Sequence, residues 1–159
     1  MSKKIHRGRF TTDCDEPFVV FIVGMRVNKL WALSKWFPVF TAMPAMIGEL
    51  YQNQDSGFLH TEYFLNWRGV TLIQYWRSYE DLEAYAHGKT HSTAWRNFNQ
   101  KIGNDGTVGI FHETYKIEKN SSEVVYNNMP RFGLARAFAH VPVSRKTNSS
   151  RQRLEKHSV

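Results

Sequence analysis

Two histidines could do chemistry in this chain, His91 and His112, and each sits in an otherwise apolar pattern. The run Thr90-His91-Ser92-Thr93-Ala94-Trp95 reads as the start of a helix, in which His91, Trp95, Phe98 and Ile102 recur at i, i+4, i+7 and i+11. His91 therefore heads an apolar stripe. The run Ile110-Phe111-His112-Glu113 reads as a strand, with Val108, Ile110, His112 and Thr114 on one face by the period of two. Both imidazoles are predicted to sit on largely apolar surface, where an unpaired polar group is costly. Each then needs a hydrogen-bond partner, a metal or a substrate. A histidine in such a place is more often a core residue satisfied by a backbone carbonyl, and that reading stands beside the chemical one.

The remaining composition narrows the classes. A chain of 159 residues suits one domain with a real core. Aromatic residues make up 14% of it, which fits tight packing or an apolar small-molecule pocket. Cys14 is the one cysteine, so an intrachain disulfide and a Cys/His zinc cluster are both excluded. The net charge of +7 is carried by the ends: residues 10–143 sum to −1. A basic body for specific nucleic-acid binding is therefore not expected. Residues 1–16 read as a flexible basic arm and 144–159 as a disordered basic tail, flanking a domain at 17–143. The polar start shows no secretory signal, Phe18–Met25 is too short to span a bilayer, and a cytoplasmic location is expected. Trp31–Ile47 is longer but holds Pro38 and Pro44, which favours a buried or interface helix, with a membrane-surface role as the minor alternative.

The elements follow from local pattern. Phe18–Arg26 is a continuous β-branched and aromatic run, expected as a central strand buried on both faces. Asn28 reads as a helix N-cap, and the helical pattern to about Gln52 is expected to kink or break near Pro38 and near Pro44. Phe58–Trp67 and Val70–Arg77 read as strands joined by a turn at Arg68-Gly69. Ser78 with Asp81 three residues later starts a helix, and Thr90 caps a second helical piece ending at Ile102. Thr107–Ile117 is a strand, and Val124–Tyr126 one more short one. The fold class is therefore α+β with ferredoxin-like βαββαβ order, helices covering one sheet face. The other face is also largely apolar, so a homodimer closing sheet on sheet is expected.

The motifs Trp67-Arg-Gly, Gln74-Tyr-Trp-Arg-Ser, His91-x-x-x-Trp95, Gly109-x-x-His112-Glu-x-Tyr115 and Asn128-Met-Pro-Arg-Phe-Gly133 resemble a family named after a monooxygenase of fumagillin biosynthesis. That family lies within the dimeric α+β barrel superfamily, and the resemblance covers about residues 5–143. A more distant similarity links Leu82–His91 and Phe111-His112-Glu113 to the C-terminal half of haem-containing aldoxime dehydratases. That likeness implies His91 as the proximal ligand of the iron of haem b and His112 as the distal acid/base. It departs from the pattern at Lys89, where a proline is usual, and those enzymes are about twice as long.

Three functional classes follow. In a haem enzyme of lyase or oxidoreductase type, His91 is the metal ligand and His112 with Glu113 the catalytic pair. Trp95, Phe98, Trp76 or Leu72 then supply pocket wall, and Arg77 or Arg131 the propionate partners. In a cofactor-independent monooxygenase of the antibiotic-biosynthesis type, a small hydrophobic substrate supplies its own electron-rich carbon. The base and hydrogen-bonding groups there come from His112, His60, Tyr63, Asn66 and Tyr115. In a non-catalytic protein, haem or another flat hydrophobic molecule binds without turnover.

Overall fold

Strand β2, Phe18–Val27, is the axis on which the sheet is built, in a computed structural model that describes residues 4–102 and 104–155. Within that range the side chains of residues 54, 89–91, 94 and 101 lie outside the described set. β2 pairs antiparallel with β4 (Gly69–Trp76) on one side and with β5 (Val108–Ile117) on the other. β3 (Phe58–Asn66) adds outside β4, giving the order β3-β4-β2-β5. Helix α1 (Leu33–Gln52) joins β2 to β3, and α2 (Tyr79–Ala86) with α3 (Lys89–Lys101) joins β4 to β5. This is the ferredoxin-like βαββαβ arrangement that the pattern of elements predicts.

Register sorts every strand residue onto one of two faces. Val19, Phe21, Val23 and Met25 align with Trp76, Gln74, Leu72 and Val70, and with Lys116, Thr114, His112 and Ile110. The helices pack on this face, where Ile47, Leu50, Leu82 and Ile102 close over the buried part of the set. Trp76 at its centre is fully buried, and burying such a side chain stabilises the fold by about 2–3 kcal/mol. The other, open face carries Val20, Ile22, Ile73, Tyr75, Phe111, Glu113 and Tyr115, with His60, Glu62 and Phe64 at the β3 edge. Gly24 belongs here for a steric reason. A Cβ on it would lie 2.6 Å from the Phe111 ring and 2.7 Å from the Val70 carbonyl, so only glycine lets that ring lie across the strand.

A second sheet has the order β6-β1-β7, from Tyr126–Met129, His6–Asp13 and Ala139–Pro142. It corrects the reading of residues 1–16 as a flexible arm, because β1 is its middle strand and pairs antiparallel on both sides. The tail at 144–159 is corrected likewise over its described part. Arg9 holds Asn148 through both the side chain and the carbonyl of that residue. Helix α5 (Ser150–Glu155) delivers Arg153, whose side chain is 6% exposed, to Glu123 and to the Thr147 and Asn148 carbonyls. Charge density predicts solvation for these ends; long-range pairing and guanidinium hydrogen bonds override it.

Smaller differences have local causes. Asn28 does not cap α1, which starts at Leu33 after Ala32; its side chain donates instead to the Gly106 carbonyl. α1 runs unbroken through Pro38 and Pro44. Ser78 does cap α2, accepting from the Asp81 backbone N–H at 3.1 Å and donating to the Asp81 carboxylate at 2.8 Å. The short strand expected at 124–126 begins at Tyr126, with Val124 and Val125 leading into it. Among the described residues no helix is long and apolar enough to cross a membrane.

Candidate active site

The two edge strands of the main sheet each present a histidine, and their surroundings differ. On β3, a bulge between Phe58 and His60 turns His60 and Glu62 onto the open face, where they are 5% and 7% exposed. Spaced i, i+2, the two side chains share one face of the strand. The His60 Nε2 lies 3.1 Å from Glu62 Oε1, and its Nδ1 lies 3.0 Å from the Tyr51 hydroxyl. Tyr51 is near the C-terminal end of α1, reaching the β3 edge across the turn at 54–57. Its oxygen accepts from the Thr61 backbone N–H. The Glu62 carboxylate can only accept, so Nε2–H of His60 donates to it, and in the neutral imidazole the Tyr51 hydroxyl donates to Nδ1.

The carboxylate is held from the far side as well. Gly133 donates its backbone N–H to Glu62 Oε1 at 2.8 Å, as the chain enters α4 (Leu134–Ala137) with a positive φ of 55°. A Cβ at Gly133 would meet the Tyr75 hydroxyl at 2.9 Å. Burial pushes the Tyr75 phenol up to about 12, with the neighbouring Tyr126 and Glu62 adding to it. Tyr126 is raised too, first by burial, and its hydroxyl accepts from the Ala135 N–H at 3.3 Å. The result is a phenol–imidazole–carboxylate chain with a buried inner end and an outer end at Tyr51, which is 48% exposed. Tyr63, half exposed on the same edge strand, has its phenol raised by burial and then by Tyr51. Such a chain can take a proton at the Tyr51 oxygen while passing one to His60 and stabilising the imidazolium against Glu62.

β5 is built differently. His112 faces the helix side, as the period of two predicts, and its ring lies 5.7 Å from that of Phe21. It is nevertheless exposed, because β5 has no strand outside it and every residue from Phe111 to Lys116 is exposed. The apolar surround expected for His112 is therefore reduced to one side. Glu113 points to the opposite, open face and accepts from the Tyr115 hydroxyl. The side chain of His91 lies outside the described residues; its backbone is in α3.

Most of the other residues named for a haem pocket have contacts of their own. Trp95 is half exposed and stacks on Phe98 with ring centroids 5.5 Å apart. Trp76 is in the core, its indole N–H donating to Gln74. Leu72 is in the same core cluster. Arg77 is engaged by Asp81 through two hydrogen bonds of 2.9 and 3.0 Å. Arg131 is exposed beyond β6, near His140 of the second sheet, whose pKa is lowered first by burial and then by the charges of His6 and Arg131. Asn66, on the open face, donates to Thr71. The sequence pattern did not single out Tyr51 or Glu62. The i, i+2 pair His60 and Glu62 was a usable signal, but the meeting of Tyr51 with His60 depends on how α1 returns to the sheet.

Comparison with known proteins gives a consistent frame. The family described as Monooxygenase af470-like matches residues 18–134. Monooxygenase af470 of Aspergillus fumigatus is 37% identical over 123 residues, covering 69% of this chain and 42% of that protein. The chain thus spans less than half the length of that relative. Among solved structures, an aldoxime dehydratase (OxdRE) crystallised with butyraldoxime superposes with a TM-score of 0.66 at 15% identity, over 78% of this chain and 38% of that one. SnoaB, a cofactor-independent oxygenase from Streptomyces nogalater, aligns with a TM-score of 0.46 at 8% identity, over 64% and 94% of the two chains.

Proposed function

The chain belongs to the monooxygenase af470-like family, and from that premise we propose that it is a small-molecule oxygenase using the Tyr51–His60–Glu62 chain as its acid–base group. The family match across residues 18–134 carries this reading, since that stretch builds the main sheet and includes the Gly133 contact to Glu62. The substrate is proposed to be a small apolar molecule with an acidic C–H next to an electron-rich system. Tyr51 takes that proton as its own passes to His60, and Glu62 stabilises the imidazolium. The resulting carbanion reduces dioxygen. When a CH2 becomes C=O, one oxygen atom enters the product and the other leaves as water, so the substrate supplies all the electrons.

We propose further that a second copy closes the open face. Phe64, Phe111 and Tyr115 on that face are 36%, 42% and 48% exposed, an apolar floor with polar groups at its edges. A haem-dependent reading has one observation in its favour: the resemblance assigns His112 to the haem pocket, and His112 shares the sheet face on which the helices pack. Of the residues named for that pocket, Arg77 is held by Asp81 and Trp76 is buried in the core.

The deciding experiment incubates the purified protein with a panel of such substrates under 18O-labelled dioxygen, with and without hemin. Label in the product without hemin, lost in Tyr51→Phe and in His60→Gln, is the expected result. Turnover seen only after hemin uptake, with a Soret band that His91→Ala removes, would overturn it in favour of the haem enzyme.

A further inference from the structure

The three most exposed large hydrophobic side chains among the described residues, Trp67, Trp31 and Leu65, cluster at one end of the sheet with Leu33 and Phe37, and no part of the proposed reaction uses them. Trp31 is 81% exposed, Trp67 88% and Leu65 80%, while Leu33 and Phe37 are 59% and 56% exposed. They come from two segments. Trp67 is at the tip of the β3–β4 hairpin, with Leu65 just before it; Trp31, Leu33 and Phe37 lead into and begin α1. The segments meet, because Val27 N–H donates to the Arg68 carbonyl at 2.6 Å and the Arg68 guanidinium reaches the Asn28 carbonyl at 3.4 Å.

The same end is cationic. Arg26 and Lys29 are exposed and in no ion pair among the described residues. Arg68 adds a third positive charge. The acid at this end, Asp105, is already neutralised by Lys35, which holds its carboxyl well below the usual range. Indole rings projecting from turns, with leucine and phenylalanine beside them and unpaired cations around them, match the chemistry of a membrane–water interface. A two-fold contact between copies through this end would set its positive charges against one another.

We propose that this end of the molecule docks on the surface of an anionic lipid bilayer, with Trp31 and Trp67 inserted among the headgroups and Arg26, Lys29 and Arg68 against the lipid phosphates. The probe is phosphatidylcholine vesicles with and without phosphatidylserine, read by co-sedimentation and by quenching of tryptophan fluorescence with brominated acyl chains. The full chain is expected to bind the anionic vesicles. Partitioning should fall about tenfold for each of Trp31→Ser and Trp67→Ser. It should fall about fivefold for each of Arg26→Gln and Lys29→Gln. These side chains are exposed, and an unchanged circular dichroism melt establishes that the variants fold. Three results would overturn the proposal. The full chain stays in the supernatant. Binding survives both tryptophan substitutions and disappears when Arg145, Lys146 and Arg151 are replaced. Or the double tryptophan variant breaks up an oligomer with no change in lipid binding, which assigns the end to a second copy.

Discussion

The β3 and β5 edges of one sheet hold a histidine each, and only one of these is enclosed. At β3, the end of α1 arrives from one side and the turn into α4 from the other, so His60 is fixed through both ring nitrogens. At β5 nothing comparable closes over the strand among the described residues, and the exposed His112 has its ring 5.7 Å from that of Phe21. The two strands have similar local sequence character. What separates them is which distant segments return to them.

Removing the anchor at the enclosed edge should break this contrast most strongly. Glu62→Ala removes the carboxylate that accepts from the buried His60 Nε2–H and Gly133 N–H, and a loss of about 3 kcal/mol is expected in a urea titration. If Glu62→Ala and a Glu113→Ala control shift the midpoint equally, the β3 edge is no more closed than the β5 edge. Gly133→Ala should cost about 2 kcal/mol, because its φ of 55° is unfavourable with a Cβ that would also press on the Tyr75 hydroxyl. Replacing Gly106, also at positive φ but with open space around it, gives the comparison in which backbone strain acts alone.

The buried phenol beside Glu62 adds a pH test. The folded protein holds the Tyr75 proton more tightly, at about 12 against an ordinary 10.0. That stability is fully present below pH 10 and is lost as pH rises toward 12. Tyr75→Phe should therefore flatten the alkaline limb of the stability curve, and a limb unchanged by it would place the phenol in water. The smallest effect on stability is expected at the open edge. His112→Ala should fall within about 0.5 kcal/mol of the parent, whereas Tyr51→Phe, which removes the hydrogen bonds to His60 and from the Thr61 N–H, should cost about 2 kcal/mol. On activity the proposal sets the same order: turnover lost in Tyr51→Phe and retained in His112→Ala.

How much of this was legible beforehand depends on the range of each interaction. The apolar run of β2, the Ser78 cap and the face carrying His112 follow from neighbours within a few residues, and the structure bears each of them out. Expectations that needed long-range partners did not transfer. Charge density alone cannot show that Arg153 folds back onto Glu123, nor that residues 6–13 find strands more than a hundred positions later. Exposure of His112 is of the same kind. Its face follows from periodicity, but its position in an edge strand follows from strand order, which no local pattern encodes. The assembly of Tyr51, His60, Glu62 and Gly133 spans the chain from residue 51 to 133 and was half visible, in the His60–Glu62 pair.

The three-stranded sheet draws β1 from before the family-matched span and β7 from after it. A fragment trimmed to 18–134 would keep β6 but lose β1, the strand it pairs with, leaving Tyr126–Met129 with raw backbone edges close to the turn that carries Gly133. The second sheet of this chain therefore reaches beyond the stretch matched by the family at both ends. The segments outside it act as a buckle, and cutting at the limits of the family match would loosen the β3 edge from a distance.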